Sequence, residues 1–493
     1  MPLSSLIVNK VSAKWQGNTV LDDISFELQA NENLLITGNS GSGKSLLAKA
    51  LSGKLFHFGT IDYLQNDKKS TPHVIFVEQH YHFKNLSNVN SFYYQQRFNS
   101  FDADDAATVF QELEKVNNAT TRNINDLLLQ FDLLDLSASP LLHLSSGEHK
   151  RFQLVKALLQ SPEYIIFDEP FTGLDLQTRT KLKKTIDNLA ANGTTCIVIC
   201  NPVDAPACIT HVLELEKGKI KQLIPKSAFV AETISYHQHL DGTAIFYEPL
   251  KVSFTEAIAF NNVSVSYGSK SILKGINWNV QQGEKWLLKG KNGAGKSTLL
   301  SLITGDNPQA YANDIYLFGK KRGTGESIWD IKKQIGYVSP ELQWYFDTGI
   351  SCYQVVASGL FDTIGLFRTL TTTQNLQVKN WLQYFGLSSH SQQLLAALPA
   401  GKQRLALLAR AMVKNPPVLI LDEPCQGLDQ HQKEHFIQLT DTLCVNSPRT
   451  LIYVSHYAED VPACVKKVLE LKEGSASIYD HKPLNNTHSK QHE

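Results

Sequence analysis

The chain has 493 residues, enough for two or three domains with separate cores. Its 47 basic and 47 acidic side chains balance, which excludes an overall field drawing it to nucleic acid or an anionic membrane. No apolar run approaches the ~18–20 residues that cross a bilayer, and no basic, apolar leader opens the chain, so a soluble, cytoplasmic protein is expected. The seven cysteines form neither a C-x-x-C pair nor an even framework and read as reduced thiols of a cytosol.

In chain order, the apolar run Leu34-Leu35-Ile36 reads as a strand and leads into Gly38-Asn39-Ser40-Gly41-Ser42-Gly43-Lys44-Ser45, which opens a helix-like segment. This fits G-x-x-x-x-G-K-S: the glycines let backbone N–H groups wrap phosphates, the lysine reaches β/γ oxygens, and the serine hydroxyl goes to Mg²⁺. The stretch 85–140 is polar and helix-compatible and is expected to form a helical subdomain. His80-Tyr81-His82 invites a metal reading, but no carboxylate or cysteine completes a site, so no transition metal is expected. Phe92-Tyr93-Tyr94 reads as core packing or a docking surface. Ile165-Ile166-Phe167-Asp168-Glu169-Pro170 reads as a buried strand delivering two carboxylates to the phosphate site. There Asp168 would hold Mg²⁺ through its water shell and Glu169 would polarise an attacking water.

The second half repeats the first. Trp286-Leu287-Leu288 precedes Gly290-Lys291-Asn292-Gly293-Ala294-Gly295-Lys296-Ser297, with Thr298 next. A second helical stretch, 342–395, precedes Leu419-Ile420-Leu421-Asp422-Glu423-Pro424. Asp204-Ala205-Pro206-Ala207-Cys208 returns as Asp460-Val461-Pro462-Ala463-Cys464. Spacing is kept along the repeat, so a whole α/β domain is duplicated. The expected organisation is a domain at 1–225, a partly ordered linker at 226–255, a second domain at 256–480 and a polar, frayed tail at 481–493.

With Leu144-Ser145-Ser146-Gly147-Glu148 and the Gly-Leu-Asp turns at Gly173 to Asp175 and Gly427 to Asp429, this motif set resembles the ATP-binding cassette (ABC) ATPases over almost the whole chain. The resemblance implies two tandem P-loop NTPase ABC nucleotide-binding domains, each with a helical subdomain. It also implies that the cassettes close head to tail around two ATP molecules, each γ-phosphate being capped by the signature serine and the N–H groups of its helix start. One site would join Lys296, Ser297, Asp422 and Glu423 to Ser145 and Gly147. His456, directly after Leu451-Ile452-Tyr453-Val454-Ser455, stands there at the family's switch-histidine position, and Tyr267 where the family stacks a ring on adenine. This site departs from the pattern at Pro340, which replaces a glutamine; Glu341 or Gln343 are the candidate substitutes. The other site would join Lys44, Ser45, Asp168, Glu169, the metal-contacting Gln79 and the adenine-stacking Trp15 to the second signature, Leu398-Pro399-Ala400-Gly401-Lys402. That signature lacks the serine hydroxyl, and a hydrogen bond to a charged phosphate is worth roughly 1.5–3 kcal/mol. Its switch position holds Cys200 in an ungapped alignment and Asn201 after a one-residue shift. One turnover site and one slow, mainly structural ATP site are expected.

Within the family, the stretches 297–306, 317–319 and 323–339 resemble a tandem-cassette group named for molybdate transport and for photorepair. The resemblance implies the energy-coupling ATPase of a membrane importer, docked by its helical subdomains on a separate permease at the inner face of the cell membrane. The oxyanion cargo rests on naming alone. A soluble protein acting on ribosomes or nucleic acid is the alternative, disfavoured by a short connector in which Lys226 and Lys251 face Glu232, Asp241, Glu248 and Glu256. A regulatory or repair accessory without a permease is the third reading, and Pro340 favours it, because the missing glutamine's loop links ATP site to permease.

Overall fold

The computed structural model describes residues 4–15, 18–65, 68–78, 107–116, 121–141, 144, 146–230, 250, 252–268, 270–339, 342, 345–347, 349–445 and 447–481. The chain divides into two compact units, split near residue 234. In the first, a six-stranded sheet has the order Lys219–Pro225, His211–Glu216, Leu34–Thr37, Thr195–Ile199, Tyr164–Asp168, Val74–Val77. All neighbours run parallel except the outermost hairpin of Lys219–Pro225 with His211–Glu216. The second unit repeats the plan in the order Ile335–Val338, Val418–Asp422, Thr450–Val454, Lys285–Gly290, Lys467–Lys472, Ser475–Asp480.

The inner strands are buried from end to end, as parallel strands covered on both faces must be. Their period of two sorts side chains between two cores. Leu34, Ile36 and Ile166 join Leu6, Ile24 and Leu47 on one face, while Leu35, Ile165 and Phe167 join Leu128, Phe152 and Leu182 on the other. The second unit divides in the same way, with Trp286 and Leu288 in one core and Leu287 in the other.

Each unit also carries a four-stranded antiparallel sheet, Asn18–Leu28, Ser4–Trp15, Phe58–Gln65, Lys68–Ser70 and its counterpart built on Glu256–Tyr267 and Lys270–Gln281. The reading as parallel α/β units did not anticipate these sheets. Their signal is alternation, with Leu6 and Val8 buried between half-buried Ser5 and Ile7, a pattern of a sheet covered on one face.

Helices of the second unit's inserted region, Cys352–Ser358 and Thr372–Tyr384, begin with capping boxes at Ser351/Gln354 and Thr371/Gln374. They bury Val355, Val378 and Trp381 against the helix Ala400–Met412. In the first unit, Val109–Glu114 and Thr121–Gln130 stand at the corresponding place beside Ser146–Leu158. His80-Tyr81-His82, Phe92-Tyr93-Tyr94, most of the connector and the tail beyond His481 lie outside the described residues. No described helix is long and apolar enough to cross a membrane.

Candidate functional site

In each unit the phosphate-type loop leaves the carboxyl end of a central parallel strand, the place where open α/β sheets present loops to ligands. Leu34–Thr37 runs into Gly38, and the helix Lys44–Leu51 starts after Gly43, whose φ of 103° lies in the left-handed region. A Cβ on Gly38 would sit 2.1 Å from the Leu215 carbonyl oxygen, so the neighbouring strand leaves no room for a side chain there. The second loop repeats this with Gly295 at φ 99° ahead of Lys296–Thr304. Lys44 Nζ donates to the carbonyls of Gly38 (2.7 Å) and Asn39 (3.0 Å). Lys296 Nζ donates to Gly290 (2.7 Å) and Lys291 (3.1 Å). Both ammonium groups are thus folded over their own loops, aimed at the space the loop encloses.

The acidic strands end beside these loops. Asp168 closes Tyr164–Asp168, and its Oδ1 accepts a hydrogen bond from Ser45 Oγ at 3.1 Å. Burial pushes the Asp168 carboxyl up, opposed by that bond and by the Lys150 charge. Asp422 ends Val418–Asp422 at the equivalent register. The next residues, Glu169 and Glu423, have φ of 48° and 43°, left-handed conformations that cost a non-glycine residue about 1 kcal/mol or more. Each is pinned by its own N–H, which donates to Ile199 O (3.0 Å) and Val454 O (3.1 Å) respectively. The same strained backbone and the same pinning bond thus recur at this carboxylate in both units.

The side chains of those glutamates meet different surroundings. In the second unit Glu423 Oε1 lies 2.9 Å from His456 Nε2, and that nitrogen is 3.3 Å from Lys296 Nζ. Loop lysine, histidine and glutamate therefore form one chain of polar contacts. Burial would raise the Glu423 carboxyl, but the bond and charge of His456, with Lys296 and Arg404, hold it below its ordinary value. In the first unit Asp168 pairs with Ile199 as Asp422 pairs with Val454. That register assigns Cys200 to Ser455 and Asn201 to His456, choosing between the two alignments. Asn201 is exposed, and its side chain accepts from Val203 N at 3.1 Å, capping the turn Pro202–Asp204. Without a histidine, burial pushes the Glu169 carboxyl up to about 7, against the charge of Lys44.

The signature helices contribute cations that sequence reasoning missed. Lys150 is buried on Ser146–Leu158, donates to Glu78 O at 2.9 Å and is pushed down to about 8 by burial, opposed by Asp168, Glu169 and Glu78. Arg404 stands at the matching place on Ala400–Met412, donates to Gln426 O (3.2 Å) and is lowered by burial to about 10, opposed by Cys425 and Glu423. The available signal was a cation at the same offset in Gly147-Glu148-His149-Lys150 and Gly401-Lys402-Gln403-Arg404.

The Gly-Leu-Asp turns have a local account as well. Asp175 and Asp429 accept from Thr178 N and Gln432 N, both at 2.9 Å, and so cap the helices that follow. Tyr267 ends its strand 42% exposed, with its hydroxyl accepting from Asn307 Nδ2 at 2.9 Å. Pro399 caps the second signature helix with no side-chain bond. Gln79, Ser145, Pro340, Glu341, Gln343 and the Trp15 side chain lie outside the described residues, and for Gly147 only the helical assignment is described.

Carboxylate and hydroxyl oxygens beside a lysine-bearing loop form a donor set that suits a hard cation and phosphate oxygens. The comparisons agree with that chemistry. The ABC transporter family model matches residues 21–172 and 273–426. The ABC transporter ATP-binding protein ModF of Escherichia coli K12 is 35% identical, over 95% of this chain and 97% of its own length. An uncharacterised ABC transporter ATP-binding protein of Schizosaccharomyces pombe is 29% identical, over 94% of this chain and 99% of its own. The solved complex of an archaeal ribosomal stalk protein with the ribosome recycling factor aABCE1 superposes at TM-score 0.54 with 16% identity, covering 95% of this chain and 89% of that one, a likeness of fold alone. The chain belongs to the ABC transporter family and is a tandem-cassette ATPase.

Proposed function

We propose that this ATPase turns over ATP at one centre and uses the other nucleotide chiefly to hold its cassettes together, driving a membrane transporter through a separate permease. The observation that carries the reading is the contact chain Lys296–His456–Glu423, which the first cassette lacks because Asn201 caps a turn instead. Glu423, kept ionised by its neighbours, is the group to accept the proton of an attacking water, and His456 orients it. The first signature's Ser145 and Gly147 complete this centre, as the family resemblance implies. Tyr267 stacks on adenine, with Trp15 its counterpart at the other site. Ser45, Gln79 and Asp168 in one cassette, and Ser297 and Asp422 in the other, would hold Mg²⁺, which when bound offsets phosphate charge.

The transporter role is supported by full-length similarity to a relative named as a transporter ATP-binding protein. An oxyanion such as molybdate follows from the resemblance to the tandem-cassette group. The test is recovery of the partner. A tagged Glu423→Gln chain, purified from its native cells in mild detergent with ATP, should bring a multi-span membrane protein in stoichiometric amount. Ribosomes, nucleic acid or nothing from the membrane would overturn the transporter role and leave a soluble, ATP-driven clamp.

A further inference from the structure

Each cassette carries a pair of thiols at the end of the sheet remote from its phosphate loop. The pairs are built on the repeated Asp-x-Pro-Ala-Cys segment. The N–H of Cys208 donates to Asp187 Oδ1 at 2.8 Å, and that of Cys464 to Asp441 Oδ1 at 2.9 Å, so the two cysteines stand in the same frame. Each thiol meets a second one. Cys464 N is held by Asp441, one helical turn before Cys444 on Gln430–Val445, which brings Cys464 beside Cys444 as Asp187 and Ile186 bring Cys208 beside Cys196. In the first cassette both sulfurs also address one carbonyl, Ile186 O, at 3.8 and 4.0 Å.

The partner thiols come from different elements. Cys196 lies on the strand Thr195–Ile199, where the second cassette has Leu451 on Thr450–Val454. Cys444 lies on the helix Gln430–Val445, three residues after Asp441, where the first cassette has Ala190 after Asp187. Cysteines at unrelated positions of the two copies thus stand beside the repeated Cys208 and Cys464. Cys196, Cys444 and Cys464 are buried and Cys208 is half-buried; Cys464 nonetheless lines a cavity of about 580 Å³ with Lys285, Lys466, Lys467, Glu284 and Asp441.

We propose that Cys444–Cys464 and Cys196–Cys208 are duplicated dithiol sites, oxidised to disulfides by a hydroperoxide, that lock the loop following each switch position. The two thiols lose their protons and two electrons as the S–S bond forms and the peroxide O–O bond breaks. The sulfurs are oxidised and the peroxide oxygens reduced, giving two waters from hydrogen peroxide. Cys464, Arg449 and Lys285 favour the Cys444 thiolate against burial, whereas Cys208 and burial push the Cys196 thiol up, so the second cassette's pair is expected to oxidise first. Transient, sensing disulfides are the kind expected where thiols are otherwise kept reduced. Cys464 sits on the segment that joins His456 to the strand Lys467–Lys472, and Cys444 near the end of the helix that follows the Glu423 turn. A bond between them ties both to one another. The effect on turnover rests on the proposed role of His456, whereas formation of the bonds does not.

The test uses the full, reduced chain exposed to hydrogen peroxide, followed by thiol counting, peptide mapping and ATPase assay. Four of the seven thiols should disappear, with linked peptides containing Cys444–Cys464 and Cys196–Cys208. ATPase should fall severalfold and return with dithiothreitol. Cys464→Ser should keep its basal rate and lose most of the inhibition; Cys444→Ala provides the same comparison if that variant does not fold. Absence of linked peptides, or linkage only between chains, overturns the sites themselves. Intact linkage with unchanged turnover, or inhibition that persists in both variants, overturns the lock.

Discussion

In the first cassette Glu169 follows a buried strand, adopts a left-handed backbone and faces Lys44 and Lys150; in the second, Glu423 has the same strand, backbone and pinning bond but faces His456. One carboxyl is pushed up to about 7 and the other held below its ordinary value. The duplicated domain keeps the same frame around the glutamate, and a plain difference beside it is one side chain, His456 in place of Asn201. That side chain is the residue two places after the strand end, histidine in one copy and asparagine in the other. Duplication therefore preserves the frame and leaves function to residues the frame does not constrain.

The widest separation between the cassettes is expected when each glutamate is replaced by its amide. Glu423→Gln should lower steady-state ATPase by about a hundredfold or more, and Glu169→Gln by less than about twofold, in the range of a lost general base against none. Equal losses would break the comparison. The same variants should differ in stability with opposite sign. Glu169 binds its proton more tightly folded than unfolded, so it costs stability as pH rises from 4.5 through about 7. Its amide should therefore gain at most about 3 kcal/mol in nucleotide-free protein above that window. Glu423 has a depressed folded pKa, so its charge contributes stability that is lost as pH falls, and its amide should be destabilised at neutral pH. Denaturant unfolding at pH 8 and pH 5 reads both.

The contiguous parts of this arrangement were legible in the sequence. The two loops, the two acidic strands and the repeat that relates them are runs of neighbouring residues, and their chemistry follows from residue type and order. Whether Cys200 or Asn201 matches His456 was not legible, because a one-residue shift leaves composition unchanged; strand register decides it. Lys150 and Arg404 were missed for another reason. They reach the carboxylates only through the placement of the signature helix, and a cation on a helix otherwise reads as solvated surface. The antiparallel sheets were not anticipated, because strands that bury one face alternate in hydropathy and give a weaker signal than the continuous apolar runs of the parallel strands.

Copying the first cassette's residue into the second sharpens the comparison at one atom. His456→Asn removes a hydrogen bond to a charged group, which should lower ATPase by about tenfold to a hundredfold. It should also move the acid limb of the rate profile. Burial of Glu423 persists while its partner's charge is gone, so the carboxyl should rise toward the value of about 7 that Glu169 shows without a histidine. ATPase measured across pH would then fall at a higher pH in the variant than in the parent chain. An unmoved limb would mean that Lys296 and Arg404 suffice to hold Glu423 ionised.

The smallest expected effect concerns how the second cassette holds its aromatic ring. Asn307 is 1% exposed and fully engaged: Nδ2 donates to Tyr267 Oη at 2.9 Å and Ser301 Oγ at 3.1 Å, while Oδ1 accepts from Gln309 N at 3.0 Å. A buried amide fixed at both ends can fix the phenol it touches, and Trp15 offers no hydroxyl for such a bond. Asn307→Ala should raise KM for ATP by about fivefold with kcat unchanged, the signature of binding lost equally in ground and transition states. Tyr267→Phe keeps the ring and loses the bond, so it should show a similar rise. Tyr267→Ala loses both and should exceed it. If Tyr267→Ala raises KM while Asn307→Ala and Tyr267→Phe do not, the ring acts without being held, and its orientation comes from the strand end alone.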